Sequence, residues 1–370
     1  MRTSKRFTSL AAVAALGLLA VACGSDSKSA TTTAPASAGA TTPGTEATGT
    51  TPTGTEATGT AAPGSSDVTA GVAFDTGGRG DGTFNDSAGR GLDQAVSELG
   101  VKKIELEAVK DEDRKTNLEL LAQQKANPVI AVGFAFTDPL TVVAKANPYT
   151  TFAIVDSVVD APNVRSLVFA EHEGSFLVGA AAALKSKTGH IGFIGGQEID
   201  LIKKFEAGYI AGAKAVNPDI KIDSKYLGPA GDNSAWGNVA GAKEIAKGWY
   251  DAGADVIYTA AGGSGAGTIQ AAVEAGKWAI GVDSDQYLLA KPDEQKHILT
   301  SMLKHVDVSV FQTIKAVADG DTKGGIITFD LKSDGVGYAT SGGFLDDVKD
   351  KLDAYKADII SGKIVVPTKP

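Results

Sequence analysis

Cysteine, aromatic rings, basic stripes and membrane-length apolar runs are all scarce in this chain, and each scarcity excludes something. The single Cys of 370 residues is Cys23, so the chain builds neither a disulfide framework nor a Cys-pair zinc site. His172, His190, His297 and His305 share no ligand spacing. Walker A, His-Glu-x-x-His and Gly-x-Ser-x-Gly patterns do not occur, which leaves no visible catalytic apparatus. Aromatics make up 6% of the residues against 45 Gly, so the core is aliphatic and few rings are available to a ligand. Lys and Arg total 35 against 44 Asp and Glu, a net charge of -9. Without a local basic stripe, that sign repels nucleic acid.

What is present begins with a targeting pattern. Arg2, Lys5 and Arg6 precede an apolar run over residues 10–21, too short to span a bilayer and the right size for a secretory h-region. The run ends in Leu19-Ala20-Val21-Ala22-Cys23, which resembles a bacterial lipobox. It predicts a signal peptide over 1–22, lipidation of Cys23, and an exported protein held to the outer face of the cell membrane. Residues 23–66 are rich in Thr, Ala, Gly, Pro and Ser, and Gly-Thr-Glu-Ala-Thr-Gly-Thr occurs at 44–50 and again at 54–60. With too little apolar surface to offset ordering entropy, this stretch is expected to be a disordered stalk.

From residue 68 onward, apolar runs of strand length alternate with helical stripes. Strands are expected at 68–74, 104–108, 128–136, 150–156 and 164–170, and a second series at 190–196, 220–227, 255–261 and 277–283. Ala88, Leu92, Ala95, Val96 and Leu99 form a 3.6-residue stripe that Asn85 or Asp86 is expected to cap. The pattern predicts an α/β protein of two doubly wound parallel-sheet lobes facing across a cleft. The first lobe is expected to take 67–170 plus 285–320, and the second 171–284 plus 321–365. On this division strand 298–303 and helix 307–319 complete the first lobe, and strands 326–331 and 336–340 with helix 344–360 return to the second. Ligands of such sheets bind beyond the carboxyl ends of the strands. Polar and glycine residues gather there: Asp75, Asp156, the turn 262–267 and Asp283. The turn imitates a dinucleotide fingerprint without completing G-x-G-x-x-G, since Thr268 and Gln270 stand at the third glycine position. A nicotinamide-dependent oxidoreductase and a surface-adhesion antigen are the competing functions.

Several ordered blocks then carry a resemblance. Asp75-Thr-Gly-Gly-Arg-Gly-Asp-Gly-Thr-Phe84-Asn85, Glu173-Gly-Ser-Phe-Leu-Val-Gly, Thr188-Gly-His-Ile-Gly-Phe-Ile-Gly-Gly196, Gly281-Val-Asp283-Ser-Asp285-Gln and Thr300-Ser-Met-Leu-Lys304 resemble the basic membrane protein family, also called purine nucleoside receptor A-like. The resemblance covers about residues 70–320. It implies the type I periplasmic-binding fold and a lipid-anchored, monomeric substrate-binding component of an ABC importer. The permease and ATPase are encoded elsewhere, no cofactor or metal is involved, and the implied ligand is a purine nucleoside or similar small molecule. It further implies that Phe84 stacks on a base beside Asn85 and Asp75, and that Trp236 closes the sandwich where the family usually has Phe. Asp156 is implied at the base or ribose edge, Gly263 and Gly265 as backbone contacts, and Asp283 with Lys304 at the ribose hydroxyls.

Overall fold

The computed structural model describes residues 67–370. The expected signal peptide, Cys23 and the stalk lie outside the described residues. Twelve strands form two six-stranded sheets of matching topology. In the first half of the chain come β1 (Thr69–Phe74), β2 (Lys102–Glu107), β3 (Val129–Val132), β4 (Phe152–Val155) and β5 (Val164–Phe169). Then follow β6 (His190–Gln197), β7 (Lys221–Gly228), β8 (Val256–Ala260), β9 (Trp278–Asp283), β10 (Ile298–Lys304), β11 (Gly325–Phe329) and β12 (Val336–Tyr338). The first sheet runs β11-β5-β4-β3-β1-β2 and the second β12-β10-β9-β8-β6-β7. Only β12 against β10 is antiparallel. β3 and β4 are buried along their whole length, as strands covered by helices on both faces must be. β2, β7 and β11 stand at edges and carry exposed or half-buried positions, which discourages pairing with another chain.

Eleven helices cover the sheets: α1 (Phe84–Leu99), α2 (Asp111–Gln123), α3 (Thr137–Ala146), α4 (Glu171–Lys185), α5 (Asp200–Val216), α6 (Val239–Asp251), α7 (Gly265–Ala275), α8 (Gln286–Leu289), α9 (Pro292–Gln295), α10 (Val306–Ala318) and α11 (Lys349–Ile360). α1 buries Ala88, Leu92 and Ala95, the expected stripe, and stops at Gly100 with φ 65°, a left-handed cap that suits glycine. It packs on α10 in the first lobe, while α4 packs on α5 and α11 in the second.

The assignment of the last strands differs from expectation. β10, expected to complete the first lobe, lies beside β9 in the second sheet, and β11, expected in the second, lies beside β5 in the first. α10 does join the first lobe, and β12 with α11 the second. An apolar run specifies a buried strand but carries no address, so pattern alone does not decide between two sheets of the same kind. The chain therefore crosses between lobes at β5 to α4, at β10 to α10 and at β11 to β12. The third crossing is tied to the first, because Glu173 Oε2 accepts from the Leu331 amide at 3.0 Å.

Close helix packing in the second lobe rests on glycine. A Cβ built on Gly212 of α5 would stand 1.9 Å from the Phe176 carbonyl oxygen of α4, and one on Gly179 of α4 would stand 2.1 Å from that of Tyr209. Gly212→Val is expected to force these helices apart at a cost of about 1 to 3 kcal/mol. Gly248 lies inside α6 with nothing within 4 Å of its Cβ position, so Gly248→Ala should stabilise by about 0.5 to 1 kcal/mol. Urea unfolding of the two variants should give midpoint shifts of opposite sign.

Candidate functional site

The first strand ends in a loop whose conformation is set by two aspartates. Asp81 accepts from the amides of Thr83 (2.9 Å), Asn85 (2.9 Å) and Asp86 (3.1 Å). It is thus the residue that satisfies the open amides of α1, in place of the expected Asn85 or Asp86. Asp86 instead turns back on the loop and accepts from Gly80 and Gly82, both at 2.8 Å. The spacing rule looks only one residue ahead of the stripe, and here the capping carboxylate reaches in from further upstream. The result fixes Phe84 and Asn85 on the first turn of α1.

These residues face a cavity of about 570 Å³ between the lobes. Asp75, Phe84, Asn85 and Asp156 line it from the first lobe; Trp236, Gly263, Asp283 and Lys304 line it from the second. The structure therefore brings together every expected ligand residue except Gly265. Gly265 opens α7 as a buried residue, and a Cβ built there would meet Thr259 and Gln286. The backbone position that does face the cavity beside Gly263 is Gly262, with φ 54°. Three rings or ring neighbours were not legible in the sequence: Phe134 after β3, and Leu201 and Phe205 on α5. Phe134 sits inside a run with strand character, and Phe205 inside a helical stripe, so each reads as core.

Trp236 has two neighbours. On its own lobe the indole covers Gly196, where a built Cβ would stand 2.2 Å from Cζ3. Across the cleft it meets Phe134 edge-on, with ring centroids 6.2 Å apart at 67°. Next to it Asn233 Nδ2 donates to Asp111 Oδ1 at 3.0 Å, also between lobes. Arg114 connects this rim to the interior: Nη1 donates to Asp111 at 2.8 Å and Nε to Asp75 Oδ1 at 2.7 Å. Burial pushes the Asp75 carboxyl up, and the Arg114 charge opposes it. The lobes are closed upon one another at this edge.

The floor of the cavity is a buried charge cluster. The Lys304 side chain is 2% exposed and donates to Asp156 Oδ2 at 2.6 Å, with Glu171 Oε1 at 3.4 Å. Burial works against its ammonium, but the charges of Asp156, Glu171 and Asp283 outweigh this and hold its pKa above the usual lysine range. Burial pushes Asp156 up, offset in part by Lys304. Asp283 is pushed up to about 7, first by burial and then by Asp156, Asp81 and Glu171, against the pull of Lys304. Asp156 and Asp283 sit at φ 68° and 64°, left-handed conformations that Asp tolerates better than most residues. Asp156 directly follows β4 and Asp283 ends β9, the third strands in the two sheet orders, so each lobe delivers one carboxylate from the same place in its fold. Asn85 Oδ1 and Asp156 Oδ1 are buried without a hydrogen-bond donor. Such acceptors are costly to leave unmade and mark where a ligand with donors gains most.

Comparison with known proteins gives the family and the same fold. Residues 68–369 match the family described as ABC transporter substrate-binding protein, PnrA-like. The chain belongs to that family. The ABC transporter nucleoside-binding protein BmpA of Lactococcus lactis is 38% identical over 323 residues, covering 82% of this chain and 90% of its own. Basic membrane protein A1 of Borrelia garinii is 33% identical over 296 residues, covering 78% and 85%. A crystal structure of an ABC transporter solute-binding protein from Aeropyrum pernix superposes with a TM-score of 0.70 at 28% identity, over 81% of this chain and 94% of that one. The PnrA-like chain is thus an ABC-transporter substrate-binding protein of the type I periplasmic-binding fold. No helix among its described residues is long and apolar enough to cross a membrane.

The raised Asp283 gives a pH prediction. Its folded pKa of about 7 exceeds the ordinary 3.8, so the folded state favours the protonated acid. The contribution is present below the ordinary value and is lost as pH rises towards 7. Asp283→Asn is therefore expected to gain stability relative to the wild type across that window, measured by denaturant unfolding of the ligand-free proteins. A difference that is flat from pH 4 to 7 would show that burial does not control this carboxyl.

Proposed function

We propose that this chain captures a purine nucleoside, or a similarly neutral, hydroxyl-bearing ligand, and delivers it to the permease and ATPase of an ABC importer encoded elsewhere. It does so as an exported monomer held to the outer face of the membrane by lipid on Cys23. The observation that carries the ligand class is the pair of unmet buried acceptors, Asn85 Oδ1 and Asp156 Oδ1, in a cavity walled by Phe84, Phe134 and Trp236. Ring faces suit a flat base and contribute about 1 to 3 kcal/mol per stacked base in nucleic-acid binders. Acceptors grouped around one buried lysine suit sugar hydroxyls and disfavour a phosphate. The nucleoside-binding relative from Lactococcus supports the same choice.

Within this reading Phe84 and Trp236 approach the base from different lobes, Asn85, Asp75 and Asp156 meet its edge, Gly263 lends backbone contacts, and Asp283, with Lys304 behind it, serves the ribose. A ligand touching both lobes binds the closed form better than the open one and shifts the population by that difference. The trigger for closure is then the ligand itself.

Calorimetry with adenosine, adenine and 5′-AMP tests the assignment. Adenosine should bind and 5′-AMP should bind far more weakly. Asp283→Ala should weaken adenosine at least about tenfold, as for loss of a charged hydrogen bond, and adenine much less. Equal losses for adenosine and adenine would remove Asp283 from the ribose. Mass spectrometry of ligand released from the denatured, purified protein separates the readings, since a dinucleotide would favour the oxidoreductase. For the anchor, Cys23→Ser should move the protein from the membrane fraction to the medium or periplasm with unchanged adenosine affinity.

A further inference from the structure

Glu171 is the one member of the charge cluster that does not line the cavity. It is fully buried, opens α4 at the first crossing between lobes, and has no part in the resemblance blocks. Its Oε1 lies 3.4 Å from Lys304 Nζ without a hydrogen-bond donor of its own, and its Oε2 accepts from Lys204 Nζ at 3.2 Å. Lys204 is 32% exposed, so the far side of the carboxylate is tethered near solvent while the near side faces the lysine. Lys304 ends β10 at the second crossing. Its ammonium is otherwise walled by the rings of Phe84, Phe169 and Phe205, at 5.3, 5.0 and 5.6 Å. An anion on the first turn of a helix is also favoured by the helix dipole.

We propose that Glu171 is a positioning residue for ligand binding: its charge holds the Lys304 ammonium towards the hinge, so that Asp156 Oδ1 and the Asp283 carboxyl oxygens are left to accept from the ligand. This deepens the nucleoside-binding reading and rests on it. A buried ammonium facing Asp156 alone would be free to turn its remaining protons into the cavity, or towards Asp283, and the floor would gain donor character. With Asp156 Oδ2 at 2.6 Å on one side and Glu171 Oε1 at 3.4 Å behind it, the ammonium is held between two carboxylates, and the floor keeps its remaining acceptors. The same carboxylate also makes ionisation of Asp283 harder, as do Asp156 and Asp81, while Lys304 eases it. On the side away from the ligand, Asp283 borders a smaller cavity with Arg90, His305 and Asp307. His172, beside Glu171, is held low by burial and adds no competing charge.

The test uses the full chain with carbon-13-labelled aspartate and compares wild type, Glu171→Gln, Glu171→Asp and Lys204→Met. In the ligand-free proteins Glu171→Gln should lower the Asp283 carboxyl titration by about one unit, a tenfold change in the ratio of ionised to protonated carboxyl. Glu171→Asp keeps the charge and should stay near wild type. Lys204→Met uncovers the Glu171 charge and should move the cluster titration upward, which also provides a variant on a half-exposed residue should Glu171→Gln fold poorly. Adenosine binding should follow: in Glu171→Gln the pH midpoint falls with the titration and the plateau affinity above it drops about tenfold. An unmoved titration in Glu171→Gln, or equal shifts in Gln and Asp variants, overturns the proposal by reducing Glu171 to packing. Failure of adenosine to bind the wild type while the opposite-signed titration shifts appear would overturn the nucleoside reading and support the hold of Glu171 on the cluster.

Discussion

A single buried ammonium, that of Lys304, is the interaction around which the site is arranged. Isolated in an apolar interior it would be strongly destabilising, and it persists because carboxylates from separate parts of the chain converge on it. Asp156 arrives from the first lobe, Glu171 from one interlobe crossing, Asp283 from the second lobe, and Lys304 itself from another crossing. Burial raises Asp283, and Asp156, Asp81 and Glu171 raise it further against the pull of Lys304. The cavity floor is therefore rich in acceptors and poor in free cations, which fits a ligand that brings hydroxyls and no charge. Removing one partner from such a cluster leaves the others uncompensated, so its members are coupled rather than additive.

The walls make a different contribution from the floor. Phe84 is presented by a helix start that Asp81 holds in place, whereas Trp236 rests on Gly196 of its own lobe and reaches Phe134 across the gap. The indole is thus supported by its own lobe, with its other side turned to the cavity. The interlobe hydrogen bond from Asn233 to Asp111 is peripheral and partly exposed, so it adds little by itself.

Much of this was legible in the chain. Strand runs and helical stripes gave the two doubly wound lobes because burial on both faces of a parallel sheet leaves an unmistakable apolar pattern, and strand ends marked by Asp75, Asp156 and Asp283 located the cleft. Sheet membership of β10 and β11 was not legible, since both candidate sheets ask for the same kind of strand. Gly265 looked equivalent to Gly263, yet two residues further on it opens α7 and is buried away from the cavity. Phe134, Phe205 and Glu171 stayed hidden because a buried ring or acid at a helical or strand position carries no mark of which side it faces. Their partners are distant in sequence, and only the folded chain brings them together.

The exchange of β10 and β11 between lobes also governs how the protein can be assembled. The first sheet lacks an edge until Gly325–Phe329 is available, and the second lacks β10 and β12 until Ile298–Lys304 and Val336–Tyr338 are. Neither lobe is a continuous segment. Five strands of the first sheet and four of the second precede Ile298 in the chain, and both sheets are completed only by the residues from there onward. Fragments cut at the apparent midpoint would each carry an unpaired strand edge, the kind of surface that invites aggregation. The weave that gives the cleft its triple connection thus makes each lobe depend on strands from the last part of the chain.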